Sequence, residues 1–195
     1  MRWDDLFAEL ESQLEQELGA EELDLLAEEE RLRLGRLSLR DRLLAMTAPA
    51  RSERIRLVLG DGSQPSVVVT AVGRDWIAGE LASAGARRSC VIPLAAVAGL
   101  LPDDDQLERS RQARPPEPAG ALSARLGLTF VLRDLCRRRS GVELHTRSGR
   151  LHGTIDRVGR DHLDLAEHDL DLPRRAAAVE RVRILPLPEL VLVVF

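Results

Sequence analysis

The chain contains neither lysine nor tyrosine: all 28 basic residues are Arg, and the aromatic side chains are two Trp and three Phe in 195 residues. So few rings leave little for the base-stacking platforms on which single-stranded nucleic acid is bound. The absence of Lys beside abundant Leu and Ala reads as GC-rich codon usage, not as chemistry. Cysteine is also scarce. Cys90 and Cys136 stand 46 residues apart without a CxxC or a His at ligand spacing, which argues against a zinc site or a disulfide framework and predicts two reduced, buried thiols. No window approaches the roughly 18 consecutive apolar residues of a membrane span, and the acidic N-terminus is unlike the basic start of a signal peptide. A soluble, cytoplasmic protein without membrane contact is the expectation. GxSxG, HExxH and GxxxxGK[ST] are all missing, so neither an enzyme nor a cofactor is expected.

What is present is an ordinary globular balance, 44% apolar and 31% charged residues, with its charge unevenly placed. Residues 1–35 carry 12 acids and 3 Arg, whereas residues 36–195 carry 20 acids and 25 Arg, an acidic head (-9) on a mildly basic body (+5). Within the head, Trp3, Leu6, Phe7, Leu10, Leu14 and Leu18 fall three and four apart, along one stripe of a helix. Leu18, Leu25, Leu32 and Leu39 then recur every seven residues. Two outcomes are open for this acidic helical segment, residues 1–37: it pairs with a protein partner or a second copy through a narrow apolar seam, or it folds back onto its own body. The first makes Trp3, Phe7, Leu10 and Leu14 candidate partner-binding residues.

The body is organised around a repeated tetrapeptide. Val72-Gly73-Arg74-Asp75 returns as Val158-Gly159-Arg160-Asp161, 86 positions later. Ahead of the first copy lie a short helix signal from Leu39 to Leu44 capped by Ser38, a strand from Ile55 to Leu59, a Gly60-Asp61-Gly62 turn and a strand from Val67 to Thr70. Trp76-Ile77-Ala78, Cys90-Val91-Ile92 and Leu94 to Val97 follow it. Short β-rich runs punctuated by turns about every ten residues point to a small barrel or sandwich. Residues 102–121, rich in Pro and Asp, read as a linker. The order then restarts with a helix from Ser123 to Arg137 that uses Leu126, Phe130, Leu132 and Leu135, then the strand Val142 to His145, the Ser148-Gly149 turn and a strand to Ile155. After the second tetrapeptide come Leu163-Asp164-Leu165 and a short helical turn at Val179 to Val182 matching Leu94 to Val97. The tail from Leu190 to Phe195 reads as a final buried strand. One extra residue in the first copy, between Gly62 and Gly73, is expected as a β-bulge.

A short helix, five bent strands, G-x-x-x-G-x-h from Gly149 to Ile155, an Asp before the third strand and a one-turn helix before the fifth resemble the Sm-like and SH3-like small barrels. The whole arrangement is similar to a group of uncharacterised proteins from high-GC bacteria that carry an N-terminal helix and two such barrels. The resemblance covers about residues 38–195. It implies a mainly β chain with a helical N-terminus and two tandem five-stranded barrels: residues 38–101 and 122–195, each with a leading helix, joined by the linker 102–121. Each barrel of about 60 residues has a marginal core, so packing the two together helps both.

RNA binding, common among Sm-like proteins, is the rival function. Its usual carriers are missing, since Ala78 or Gly79 and Asp164 stand where an Asn is used and no Arg-Gly pair precedes the last strand. An Arg-rich surface of the second barrel, Arg137, Arg138, Arg139, Arg147, Arg150, Arg157, Arg174 and Arg175, is the candidate interface. Trp76, where the second copy has His162, is a candidate partner anchor or a packing residue between the barrels. His145 and His152 are expected directly across the Ser148-Gly149 hairpin. The reading as a whole is a non-catalytic protein-interaction or scaffold module.

Overall fold

Val, Ile and Leu alternating with polar residues drive much of the described chain into strands, because branched side chains pack on a pleated, half-buried surface. The computed structural model describes residues 22–47, 54–82, 87–112, 122–169 and 179–195. The chain divides into two units, Met1–Ser38 and Leu39–Phe195. In the first, helix α1 occupies residues 22–35, and Arg31 and Arg33 pair with Glu28 and Glu30 one turn earlier. Trp3, Phe7, Leu10 and Leu14 lie outside the described residues.

The second unit is mainly β, ten antiparallel strands with three further helices. Helix α2 (Leu39–Met46) precedes β1 (Arg54–Leu59), β2 (Ser66–Val72), β3 (Trp76–Ala82) and β4 (Arg87–Pro93). A single turn of 3-10 helix, Leu94–Ala96, leads to β5 (Val97–Leu101) and helix α3 (Asp104–Arg111). After another such turn, Leu122–Arg125, come α4 (Leu128–Arg138), β6 (Gly141–Thr146), β7 (Gly149–Val158), β8 (His162–Glu167) and β9 (Arg181–Pro186). The turn Leu187–Glu189 and β10 (Leu190–Val194) finish the unit. Among the described residues no helix is long and apolar enough to cross a membrane.

All ten strands belong to one open sheet in the order β5-β1-β2-β3-β4-β10-β6-β7-β8-β9, where two separate barrels were expected. The cause is β10, which leaves β6 on one side and pairs with β4 on the other, Val193 opposite Val91 and Val194 opposite Cys90. The ladder therefore runs from the first half into the second without either half closing on itself.

Two apolar cores lie along this sheet, and each borrows from the other half. Leu43, Met46, Ile55, Leu57, Ile77 and Ile92 form one with Val191, Leu192 and Val194 of β10. Leu128, Leu132, Leu135, Val142, Leu144, Leu163 and Leu165 form the other with Trp76 and Val91. Halves too small to bury a full core alone share residues across the junction.

Four details differ from the sequence reading. Residues expected as linker include α3, started by a capping box in which Asp103 accepts from the Gln106 N–H and the Gln106 side chain accepts from the Asp103 N–H. On α4 the buried face is Leu128, Leu132 and Leu135, while Phe130 is exposed. The one-turn helix that answers Leu94–Ala96 is Leu187–Glu189, and Arg181–Pro186 is a strand. Finally, a bulge occurs in both halves, at Thr70 between the pairs of Val69 and Ala71 and at Asp156 between those of Ile155 and Arg157. The extra residue sits instead in the β1–β2 connection, where Leu57 N–H donates to the Pro65 carbonyl and Leu59 N–H to that of Ser63.

Candidate functional site

The repeated tetrapeptide forms the same turn twice, and the two copies do different things. Gly73 N–H donates to the Trp76 carbonyl at 2.8 Å, and the indole lies across Gly73 so closely that a Cβ there would collide with the ring. The indole is buried, and its Nε1–H donates to the Leu126 carbonyl at 2.9 Å. Asp75 accepts from the Leu128 N–H at 2.7 Å, satisfying an amide at the start of α4 that has no partner within the helix. Trp76 thus anchors one half to the other inside the chain. In the second copy Gly159 N–H donates to the His162 carbonyl at 2.9 Å, and the imidazole takes the place of the indole. There the Asp161 carboxylate engages the adjacent His162 Nδ1, whose hydrogen bond lowers its pKa, and is otherwise turned to solvent with 81% of its side chain exposed.

A second tie crosses the junction between halves. Glu143 on β6 is buried and accepts from Arg88 of β4 and from His145 Nε2, both at 2.8 Å. Burial pushes this carboxyl up, but the hydrogen bonds from Arg88 and His145 outweigh it and the pKa is lowered from 4.5. A depressed carboxylate stabilises the fold above its unfolded pKa and loses that contribution as pH falls through the folded value. Glu143→Gln should therefore reduce stability by about 1 kcal/mol at neutral pH, Arg88 being half exposed to solvent. The gap from wild type should close as both are melted at successively lower pH beneath 4.5; a gap constant down to acid would show that the charge is not responsible. Glu167 repeats the motif at the far side of the sheet, accepting from Arg181 at 2.8 Å and from Arg183, which again outweighs burial and lowers its pKa.

Among the described residues, the arginines expected as an RNA surface are not gathered in one place. Arg137, Arg138 and Arg139 end α4 ahead of β6, and the first two pair with Asp134. Arg147 lies in the turn beyond the other end of β6, a strand of six residues that separates it from them by about 20 Å, and Arg150 stands on β7 opposite His145. Arg150 reaches to within 3.9 Å of Glu143. Arg174 and Arg175 lie outside the described residues.

The hairpin register also differs from expectation. Thr146 pairs with Gly149, so the turn is Arg147-Ser148, His145 faces Arg150, and His152 faces Glu143. His168 is buried, donating from Nδ1 to the Asp169 carbonyl and accepting at Nε2 from the Thr154 hydroxyl, both at 2.8 Å. Among the described residues no three His, Cys, Asp or Glu side chains converge where a metal ion could be held. Cys90 is buried and its thiol is pushed up to about 11 by that burial, while Cys136 is half-buried with its Sγ directed at the Asp156 carbonyl.

What sequence reasoning missed lies on the two ends of the sheet. Among the described strands β9 and β5 each have a neighbour on one side only. On β9, Val182 and Ile184 are 59% and 69% exposed, and on β5 Leu101 is 43% exposed. The signal was present as Val182-Arg183-Ile184, apolar positions two apart, but the helical turn expected at Val179 to Val182 took in the first of them and left only Ile184 and Leu185 to the strand. Unpaired N–H and C=O groups beside exposed β-branched side chains are a template for another strand.

No family model matches the chain, and neither a curated protein nor a solved structure matches it.

Proposed function

We propose that this protein is a non-catalytic protein-interaction or scaffold module built from two five-stranded halves of Sm-like or SH3-like type. The fold part of this reading is supported by strand order: β5-β1-β2-β3-β4 in one half and β10-β6-β7-β8-β9 in the other, each with a one-turn helix before its last strand. The interaction part is carried by one observation, the exposed apolar residues Val182 and Ile184 on a strand that, among the described residues, has a neighbour on one side only. On α1, taken by itself, Leu23, Leu25, Leu26 and Leu32 are exposed as well; they extend the seam expected to take a protein partner.

Photo-crosslinking tests the reading. A photoreactive residue at Ile184, and separately at Leu25, should give protein adducts in native cell extract that persist after nuclease treatment and at raised salt. RNA binding through the arginines instead requires adducts that vanish with nuclease and weaken steeply with salt. Adducts of neither kind at both positions would remove the interaction reading.

A further inference from the structure

We propose that the second tetrapeptide turn, Gly159 to His162, is a receptor for the opening turn of an amphipathic helix supplied by another protein. This rests on the interaction reading above and gives the partner its chemistry. The pattern for the contact is inside the chain. At the first turn the Leu126 carbonyl accepts from the Arg74 N–H at 3.2 Å and from the Trp76 Nε1–H at 2.9 Å, while Asp75 accepts from the Leu128 N–H at 2.7 Å. Three hydrogen bonds thus hold the peptide groups on either side of Gly127, where α4 begins and its amides lack partners within the helix. A Cβ on Gly127 would press on the Arg74 guanidinium, so the residue between those groups is small.

The second turn presents the same groups. Gly159 N–H donates to the His162 carbonyl as Gly73 N–H does to that of Trp76, and the imidazole lies over Gly159 as the indole lies over Gly73. Among the described residues no carbonyl takes the part of Leu126 at the Arg160 N–H, and no amide that of Leu128 at Asp161. The Asp161 side chain is 81% exposed. When protonated, the imidazole donates from Nδ1 to Asp161, 2.8 Å away, and keeps its Nε2–H for an incoming carbonyl.

Strand registers supply an independent, apolar part of the site. Ala71 pairs with Ala78 and Ala78 with Val91, and all three lie with Trp76 in the core that Leu128 and Leu132 of α4 complete. The same ladder positions in the second half are Arg157 opposite Asp164 and Asp164 opposite Ile184. Val91 is 1% exposed, whereas Ile184 is 69% exposed. An apolar face on the incoming helix, like that of Leu128 and Leu132, covers Ile184. Arg157 and Asp164 stand where the first half has two alanines, so that face is flanked by an acid and a base.

The described helices of the second unit are already provided for. Helix α3 is capped by its own Asp103, α4 is held by Asp75, and α2 follows Ser38, a capping residue type. The occupant therefore comes from a different protein.

The test is a nuclear magnetic resonance titration of the isotope-labelled full chain in slightly acidic buffer. The probe is an acetylated peptide with the sequence of residues 124–138 and Ser in place of Cys136. It should shift the amides of Arg160, Asp161 and His162 with a Kd of about 1 mM. Methylating the Leu128 nitrogen of the peptide removes the donor but suits a first helical position as proline does, and should weaken binding about tenfold. Asp161→Asn should weaken it about fivefold, and His162→Trp, which restores the indole donor, should tighten it about tenfold, both checked for native circular dichroism. No shift at the turn in either wild type or His162→Trp, or shifts indifferent to the methyl group and to Asp161→Asn, overturns the proposal. Turn resonances that move with protein concentration before peptide is added mean that a second copy fills the site, which overturns the assignment to another protein. Loss of the peptide contact with adducts at Ile184 retained removes the helix receptor alone; loss of both removes the interaction reading as well.

Discussion

Trp76→Ala is expected to destabilise the fold by about 3–5 kcal/mol, the cost of removing a large aromatic side chain from a packed interior. The residue is 6% exposed and, although it belongs to β3 of the first half, its ring lies in the second core with Leu128, Leu132 and Leu135. The loss should therefore appear in both halves at once: a lower urea midpoint, with amides of α4 exchanging as early as those of β3. Trp76→Phe separates the two contributions of the indole. It retains most of the apolar volume but leaves the Leu126 carbonyl without the Nε1–H that reaches it at 2.9 Å, and should cost about 1–2 kcal/mol. If Trp76→Ala unfolds only the first half, the ring does not couple the halves.

Gly153→Val should be at least as damaging, about 3 kcal/mol or more. Gly153 sits in the middle of the ten-residue strand β7, with Val142 of β6 on one side and Glu167 of β8 on the other. A Cβ at this position would run into the Ala166 carbonyl. A side chain in the way could rotate; a backbone carbonyl held in a sheet cannot, so the strands must separate. A thermal melt of Gly153→Val within a degree or two of wild type would mean that β7 and β8 yield more easily than their geometry indicates.

Both sites show how the two halves depend on each other, and they differ in how visible they were. Gly153 was legible, since a Gly in the middle of a β pattern marks a bend or a close approach. Trp76 was legible only as two alternatives, a partner anchor or a packing residue. Nothing in local sequence says that the Leu126 carbonyl, 50 residues on, lies 2.9 Å from its nitrogen. The same limit explains β9. Period-two alternation at Val182 and Ile184 was available, but a match to Leu94 to Val97 took precedence, and the true counterpart, Leu187–Glu189, lay further along the chain. In the expected linker, Asp103 and Gln106 carry the spacing of a capping box, which starts an eight-residue helix ahead of the prolines.

By itself the sequence determined the local elements. Alternating Val, Ile and Leu make strands, Gly at Gly73 and Gly159 admits a ring across a tight turn, and Leu at three- and four-residue spacing makes α4, because these choices depend on backbone sterics and on neighbours a few residues away. Only the tertiary structure decided where the ladders end. Whether β4 closes its own half or passes its free hydrogen-bonding edge to β10 depends on the relative stability of pairings between segments about a hundred residues apart, and backbone N–H and C=O groups carry no side-chain signature of their partner. That one pairing makes a single open sheet, buries Val91 and Val194, and leaves Ile184 and Leu101 exposed at its two ends.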